Sequence, residues 1–169
     1  MDMPLPHFGL PQNQLAIRRA AAHLCSRLAW VVLHEVSLPN GRRADILALR
    51  PDGGFACIEV KSGPRDFLVD DKWPEYRPYC DTLYFAVDDA FPLDLLPDDV
   101  GIMVACVGPH CLPGVAGEAE LLREAPTHRL PPATRRALTQ RFATIAASRL
   151  AALEDPAITA SLRAALRVE

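Results

Sequence analysis

Lysine is nearly missing from this chain. Of 18 basic residues only Lys61 and Lys72 are lysines, and the rest are arginines. Also missing are the G-x-G-x-x-G and P-loop phosphate cradles and the G-x-S-x-G nucleophile elbow, which removes support for the common nucleotide-binding and serine-hydrolase scaffolds. No internal repeat is visible. The longest apolar runs, Leu28 to Leu33 and Val100 to Val107, fall far short of the ~20 residues a membrane helix needs. The first residues, Met1-Asp2-Met3-Pro4-Leu5-Pro6, carry neither a basic nor an apolar signal region, so a cytoplasmic protein with no membrane association is expected. Cys25, Cys57, Cys80, Cys106 and Cys111 include no Cys-x-x-Cys and are odd in number, so reduced thiols are expected. A zinc site from Cys106, His110, Cys111 and His128 would match no common spacing.

What is present suits one domain: 169 residues, half of them hydrophobic and 23% charged, enough for a sizeable core. The expected organisation is an irregular Pro-rich arm over 1–11, a single domain over 12–155 and a helical tail over 156–169. Net charge is −3, which argues against a general nucleic-acid coat but leaves room for a local basic cleft. That cleft would lie in the first half, since the acidic excess falls after residue 80.

Periodicity and turn chemistry predict a helix over 12–29, strands over 31–38, 42–49 and 55–61, a short helix entered near Pro74, strands over 82–87 and 100–107, and a short strand at 120–123. Helices are expected over 133–153 and, more weakly, 157–167. This order is α/β with a mixed sheet. The separators Pro39-Asn40-Gly41 and Pro51-Asp52-Gly53-Gly54 are strong turn signals. A three-residue loop at the first and a loop over 50–54 at the second place Glu35 opposite Asp45, Asp45 opposite Glu59, and Arg43 opposite Lys61.

Glu59 and Lys61 are two apart on one strand and share a face. Glu35, Asp45 and Glu59 then stand side by side on three neighbouring strands, with Lys61 beside them. Like charges directly across strands destabilise a sheet. A hard divalent cation would compensate, taking carboxylate ligands and leaving positions for water and phosphate. Such an ion activates water, and Lys61 could orient that water or neutralise a phosphate under attack. The plain alternative is solvated strand ends with Lys61 in an ordinary salt bridge. The placement of Glu35 depends on the choice of turn.

The residues Ala44-Asp45 followed by Glu59-Val60-Lys61 resemble the PD-(D/E)xK nuclease superfamily, with Ala44 in place of its proline. Longer stretches, Asn40 to Asp45, Ile58 to Ser62, Asp71 to Tyr76 and Tyr79 to Val87, look like the MmcB-like family of bacterial DNA-repair proteins. The resemblance covers about residues 12–110. It implies a restriction-endonuclease-like αβββαβ core with C-terminal helices and a metal-dependent DNA endo- or exonuclease. Asp45 and Glu59 would be ligands of Mg²⁺ or Mn²⁺, with Glu35 as a third, and Lys61 would be the catalytic lysine. Lys72 and Tyr76 resemble a Gln-x-x-x-Tyr helix of RecB-type members, with Lys replacing Gln. Arg42, Arg43, Arg65 and Arg77 are candidate phosphate contacts. Trp73, Tyr79 and Tyr84 could stack on bases, although core packing suits them better, and His7, His23 and His34 have no partner spacing. DNA is the expected partner, with other repair proteins as further candidates. The alternative is a nuclease-fold module that binds DNA or a repair partner without cutting.

Overall fold

Two turns of the same chemistry, Pro-Asn-Gly and Pro-Asp-Gly, set the register of the first three strands. In each the glycine adopts the left-handed region, Gly41 at φ 82° and Gly53 at φ 79°, which few side chains tolerate. The Gly41 N–H donates to the Leu38 carbonyl at 3.0 Å, and the Gly53 N–H to the Arg50 carbonyl at 2.9 Å. Asn40 Oδ1 and Asp52 Oδ1 accept from the Arg42 and Gly54 N–H groups at 3.1 and 2.9 Å, stiffening both turns.

The computed structural model describes residues 12–108, 111–112, 114–154 and 156–157. The chain divides into two units, Met1–Leu130 and Pro131–Glu169. The first holds α1 (Gln12–Arg27), β1 (Val31–Ser37), β2 (Arg43–Leu49), β3 (Phe55–Val60), α2 (Pro64–Leu68), a 3-10 helix (Trp73–Tyr79), β4 (Thr82–Asp88), β5 (Gly101–Ala105) and β6 (Ala119–Arg123). The second is built on α3 (Pro132–Ala151), which begins with proline in its first turn. The expected arm over 1–11 and nearly all of the helix over 157–167 lie outside the described residues.

The strands form one six-stranded mixed sheet in sequence order. β1, β2 and β3 are antiparallel neighbours; β3, β4 and β5 run parallel; β6 returns antiparallel. The expected registers hold: His34 faces Ile46 and Val36 faces Ala44, while Ile46 faces Ile58 and Leu49 faces Phe55. The α2 helix lies in a stretch read from sequence only as polar, because five residues entered through Pro64 show no periodicity.

α1 crosses one face of the sheet. Its buried stripe Ile17, Ala20, Ala21, Leu24 and Cys25 packs on Ile46, Ala48, Ala56, Ile58, Val60, Tyr84, Ala86 and Met103, the alternate residues of four strands. The helix ends in a Schellman turn: the Trp30 N–H reaches the Cys25 carbonyl at 2.8 Å while Ala29 takes φ 59°, a position glycine usually fills. On the other face Phe85 receives Phe67 and Trp73 edge-on, with ring centroids 5.3 and 5.7 Å away. Trp73 and Tyr84 are thus packing aromatics, Tyr84 being fully buried against Trp30. Gly101 is required by this packing, because a Cβ there would stand 2.1 Å from Tyr84 Cδ1.

One cysteine expectation is corrected. Cys106 and Cys111 form a disulfide with their Cα atoms 5.7 Å apart, while Cys25, Cys57 and Cys80 are free and buried. A pair five residues apart gives no sequence signal of its own. It forms because the chain leaving β5 folds straight back, with the Cys111 N–H donating to the Gly108 carbonyl. The bonded sulfurs are not available for the zinc arrangement considered above.

Candidate functional site

The β2–β3 ladder ends at Ile46 and Ile58, and the next residues out are Asp45 and Glu59. There side chains replace the main-chain acceptors. Asp45 Oδ2 accepts the Val60 N–H at 2.8 Å, and Glu59 Oε1 accepts the Asp45 N–H at 3.2 Å. The Asp45 carboxylate therefore lies between the two strands, where groups from both sides of the sheet can reach it. Glu59 and Lys61 are only 4% and 5% exposed, far drier than solvated strand ends.

Four further groups close around this opening. Arg18 of α1, 6% exposed, donates from Nη2 to Asp45 Oδ1 at 2.8 Å and from Nη1 to Glu35. Glu35 takes φ 53°, which interrupts the β1–β2 pairing opposite Asp45 without shifting the register. A left-handed conformation costs a non-glycine residue about 1–2 kcal/mol, and here both Glu35 oxygens are held, by Arg18 and by Arg43 Nε at 2.5 Å. Asp70 accepts from Lys61 Nζ and, at 3.0 Å, from the Lys72 N–H. Tyr76, buried, donates its hydroxyl to the Arg43 carbonyl at 3.2 Å.

Burial pushes the Glu59 carboxyl up to about 8, with the neighbouring Asp45 charge adding to the rise. Burial also raises Asp45, against the opposing pull of the Val60 N–H and Arg18. Asp70 moves the other way: its partial burial is outweighed by the hydrogen bonds from Lys61 and the Lys72 N–H. With Glu59 carrying its proton, the carboxylates of Glu35, Asp45 and Asp70 face the cations Arg18, Arg43 and Lys61. The cluster is then neutral without any added ion.

The donors offered by Glu35, Asp45 and Glu59 are all hard carboxylate oxygens, which fits Mg²⁺ or Mn²⁺ better than a soft-ligand metal. The Asp45 charge helps raise Glu59 and the Glu35 charge helps raise Asp45, and a dication would relieve both. Arg18 already neutralises part of that charge.

The candidate DNA contacts are dispersed. Arg42 makes a bidentate pair with Glu75 at 2.6 and 2.8 Å. Arg77 pairs with Asp99 at 2.6 Å and lies over the Trp73 ring at 5.5 Å. Arg43 pairs with Glu35. Arg65 and Lys72 are exposed. Lys72 stands at the N-cap position of the 3-10 helix that carries Tyr76, and the two side chains part: Lys72 meets solvent and Tyr76 meets the core.

A sequence model of the MmcB-like DNA-repair proteins matches residues 1–157. The chain belongs to this family. An MmcB-like chain with this fold is also similar to a solved protein of unknown function from Silicibacter pomeroyi, at 39% identity and TM-score 0.74, over 86% of this chain and 94% of that one. No curated protein matches. Among the described residues no helix of this MmcB-like protein is long and apolar enough to cross a membrane.

Two members of the cluster were not singled out from sequence, Arg18 and Asp70. Arg18 carried a signal: it is three and seven residues before Ala21 and Cys25, on the stripe that α1 buries, where an unpaired arginine is unexpected. Asp70 carried none, since its role depends on how the chain after α2 folds back over Lys61.

Proposed function

We propose that this protein is a metal-dependent DNA phosphodiesterase acting in repair, of the PD-(D/E)xK type. The observation that supports this most is the convergence of the half-buried Asp45 with the buried Glu59 and Lys61 where the β2–β3 ladder opens. Asp45 and Glu59, with Glu35 in reach of the same opening, would hold a dication, which would supply water activation and stabilisation of charge on the phosphate. Lys61 orients the attacking water or neutralises the phosphate as charge develops. Asp70 positions the Lys61 ammonium. Tyr76 fixes the β2 backbone through the Arg43 carbonyl, and so the approach of Asp45 to Glu59. Arg65 and Lys72, exposed next to this opening in sequence, and Arg42, Arg43 and Arg77, once their acidic partners are exchanged, contact the DNA backbone.

A specific observation favours a second reading. Every strongly charged group of the cluster already has a partner: Arg18 and Arg43 on Glu35, Arg18 on Asp45, and Asp70 on Lys61. A module that binds DNA or a repair partner without cutting would need nothing more. Single-turnover cleavage of labelled DNA of several structures in Mg²⁺ and Mn²⁺, beside affinity measured in Ca²⁺, separates the two. Cleavage lost in Asp45→Ala and Glu59→Ala supports the enzyme; binding with no cleavage under any condition supports the module.

A further inference from the structure

The Arg18 guanidinium bridges two separate carboxylates, with one Nη on Glu35 and the other on Asp45 Oδ1. A dication shared by those side chains would do the same. The remaining Asp45 oxygen is already engaged by the Val60 N–H, so Oδ1 is the oxygen on which Arg18 and a metal meet. The head group is carried at the end of a stem with several rotatable bonds, on an otherwise anchored unit. α1 is anchored by Ile17, Ala20 and Ala21, each at most 1% exposed. The guanidinium's hydrogen bonds go to the two carboxylates, and its buried Nε has no hydrogen-bond partner, so losing those two contacts frees it of its polar partners among the described residues.

We propose that Arg18 is a built-in counter-cation that competes with divalent metal for Asp45 and Glu35. The metal-free form is then an inhibited resting state that loads only when the guanidinium releases them. This rests on the metal reading above and adds its regulation. A cation that closes the site lowers the apparent metal affinity by the fraction of molecules in which the site is open. An open fraction of roughly one in ten to one in a hundred implies that removing the guanidinium tightens binding by about tenfold to a hundredfold.

The test is calorimetric titration of Mn²⁺ into the full chain without DNA. Wild type is compared with Arg18→Met, which keeps the stem and removes the charge, and with Arg18→Lys, which keeps the charge but cannot bridge two carboxylates. Unfolding in chelator checks that each variant is folded; if the Met variant is not, the Lys variant decides. We expect Mn²⁺ affinity to rise by about tenfold or more in Arg18→Met and by a smaller factor in Arg18→Lys. Adding Asp45→Asn to either should remove the gain. Unchanged affinity in the folded variants overturns the role of Arg18 and leaves the metal site standing. No Mn²⁺ binding by wild type or either variant overturns the metal site together with the inference.

Discussion

Glu59 makes the stability of the metal-free protein fall as pH rises. Its carboxyl is raised from the ordinary 4.5 to about 8, chiefly by burial and then by Asp45. Between those values the unfolded chain has released the Glu59 proton and the native state still holds it. The native state binds more protons, so stability declines with increasing pH, by at most about 1.4 kcal/mol for each pH step. Summed over the window the loss is on the order of 5 kcal/mol, less whatever the coupling to Asp45 shares between the two carboxyls. The perturbation is Glu59→Gln, which keeps an oxygen for the Asp45 N–H and cannot ionise. Asp70, whose carboxyl is lowered by Lys61, is ionised throughout the window and cancels in the comparison. Urea unfolding in chelator, at intervals from pH 4.5 to 8.5, should show wild type losing several kcal/mol relative to Glu59→Gln as pH rises. Parallel pH profiles for the two proteins would refute the argument that Glu59 is protonated in the metal-free fold.

Other outcomes follow from single residues. Lys61→Ala should slow cleavage about 100-fold or more, at least ~2.7 kcal/mol of barrier, with DNA affinity in Ca²⁺ almost unchanged; a pure affinity loss with a salt dependence flattened by about one charge would instead mark a binding module. Gly101→Ala places a methyl against the Tyr84 ring and should lower unfolding stability by about 1–3 kcal/mol, a cost that a neutral result in denaturant titration would exclude. Ala29→Gly relieves the left-handed residue at the end of α1 and should raise stability by about 0.5–1 kcal/mol, read as a higher urea midpoint. Asp81→Ala removes the acceptor of the Phe55 and Leu130 N–H groups at 2.8 and 3.0 Å and should cost about 1.5–3 kcal/mol per bond lost, measurable as a lower midpoint at neutral pH.

The sequence alone determined the row of carboxylates. Pro-Asn-Gly and Pro-Asp-Gly are local devices whose geometry depends on a few neighbouring residues, and a strand's side-chain period is two. Register and facing therefore followed from spacing, and Glu35, Asp45 and Glu59 came to adjacent strands as expected. The first helix, the three-strand meander and the later strands followed similarly from turn signals and periodicity, while α2 did not. Only the tertiary structure decided what those carboxylates meet. Arg18 arrives from a helix whose position depends on packing its alanine-rich stripe over four strands. Asp70 reaches Lys61 only because the chain after α2 folds back, and Cys106 finds Cys111 only because the chain leaving β5 does. Glu35 is turned into the left-handed region by partners distant in sequence, against its own backbone preference. The raised Glu59 carboxyl has the same origin, because desolvation depends on everything packed around a group and not on the residues beside it in the chain.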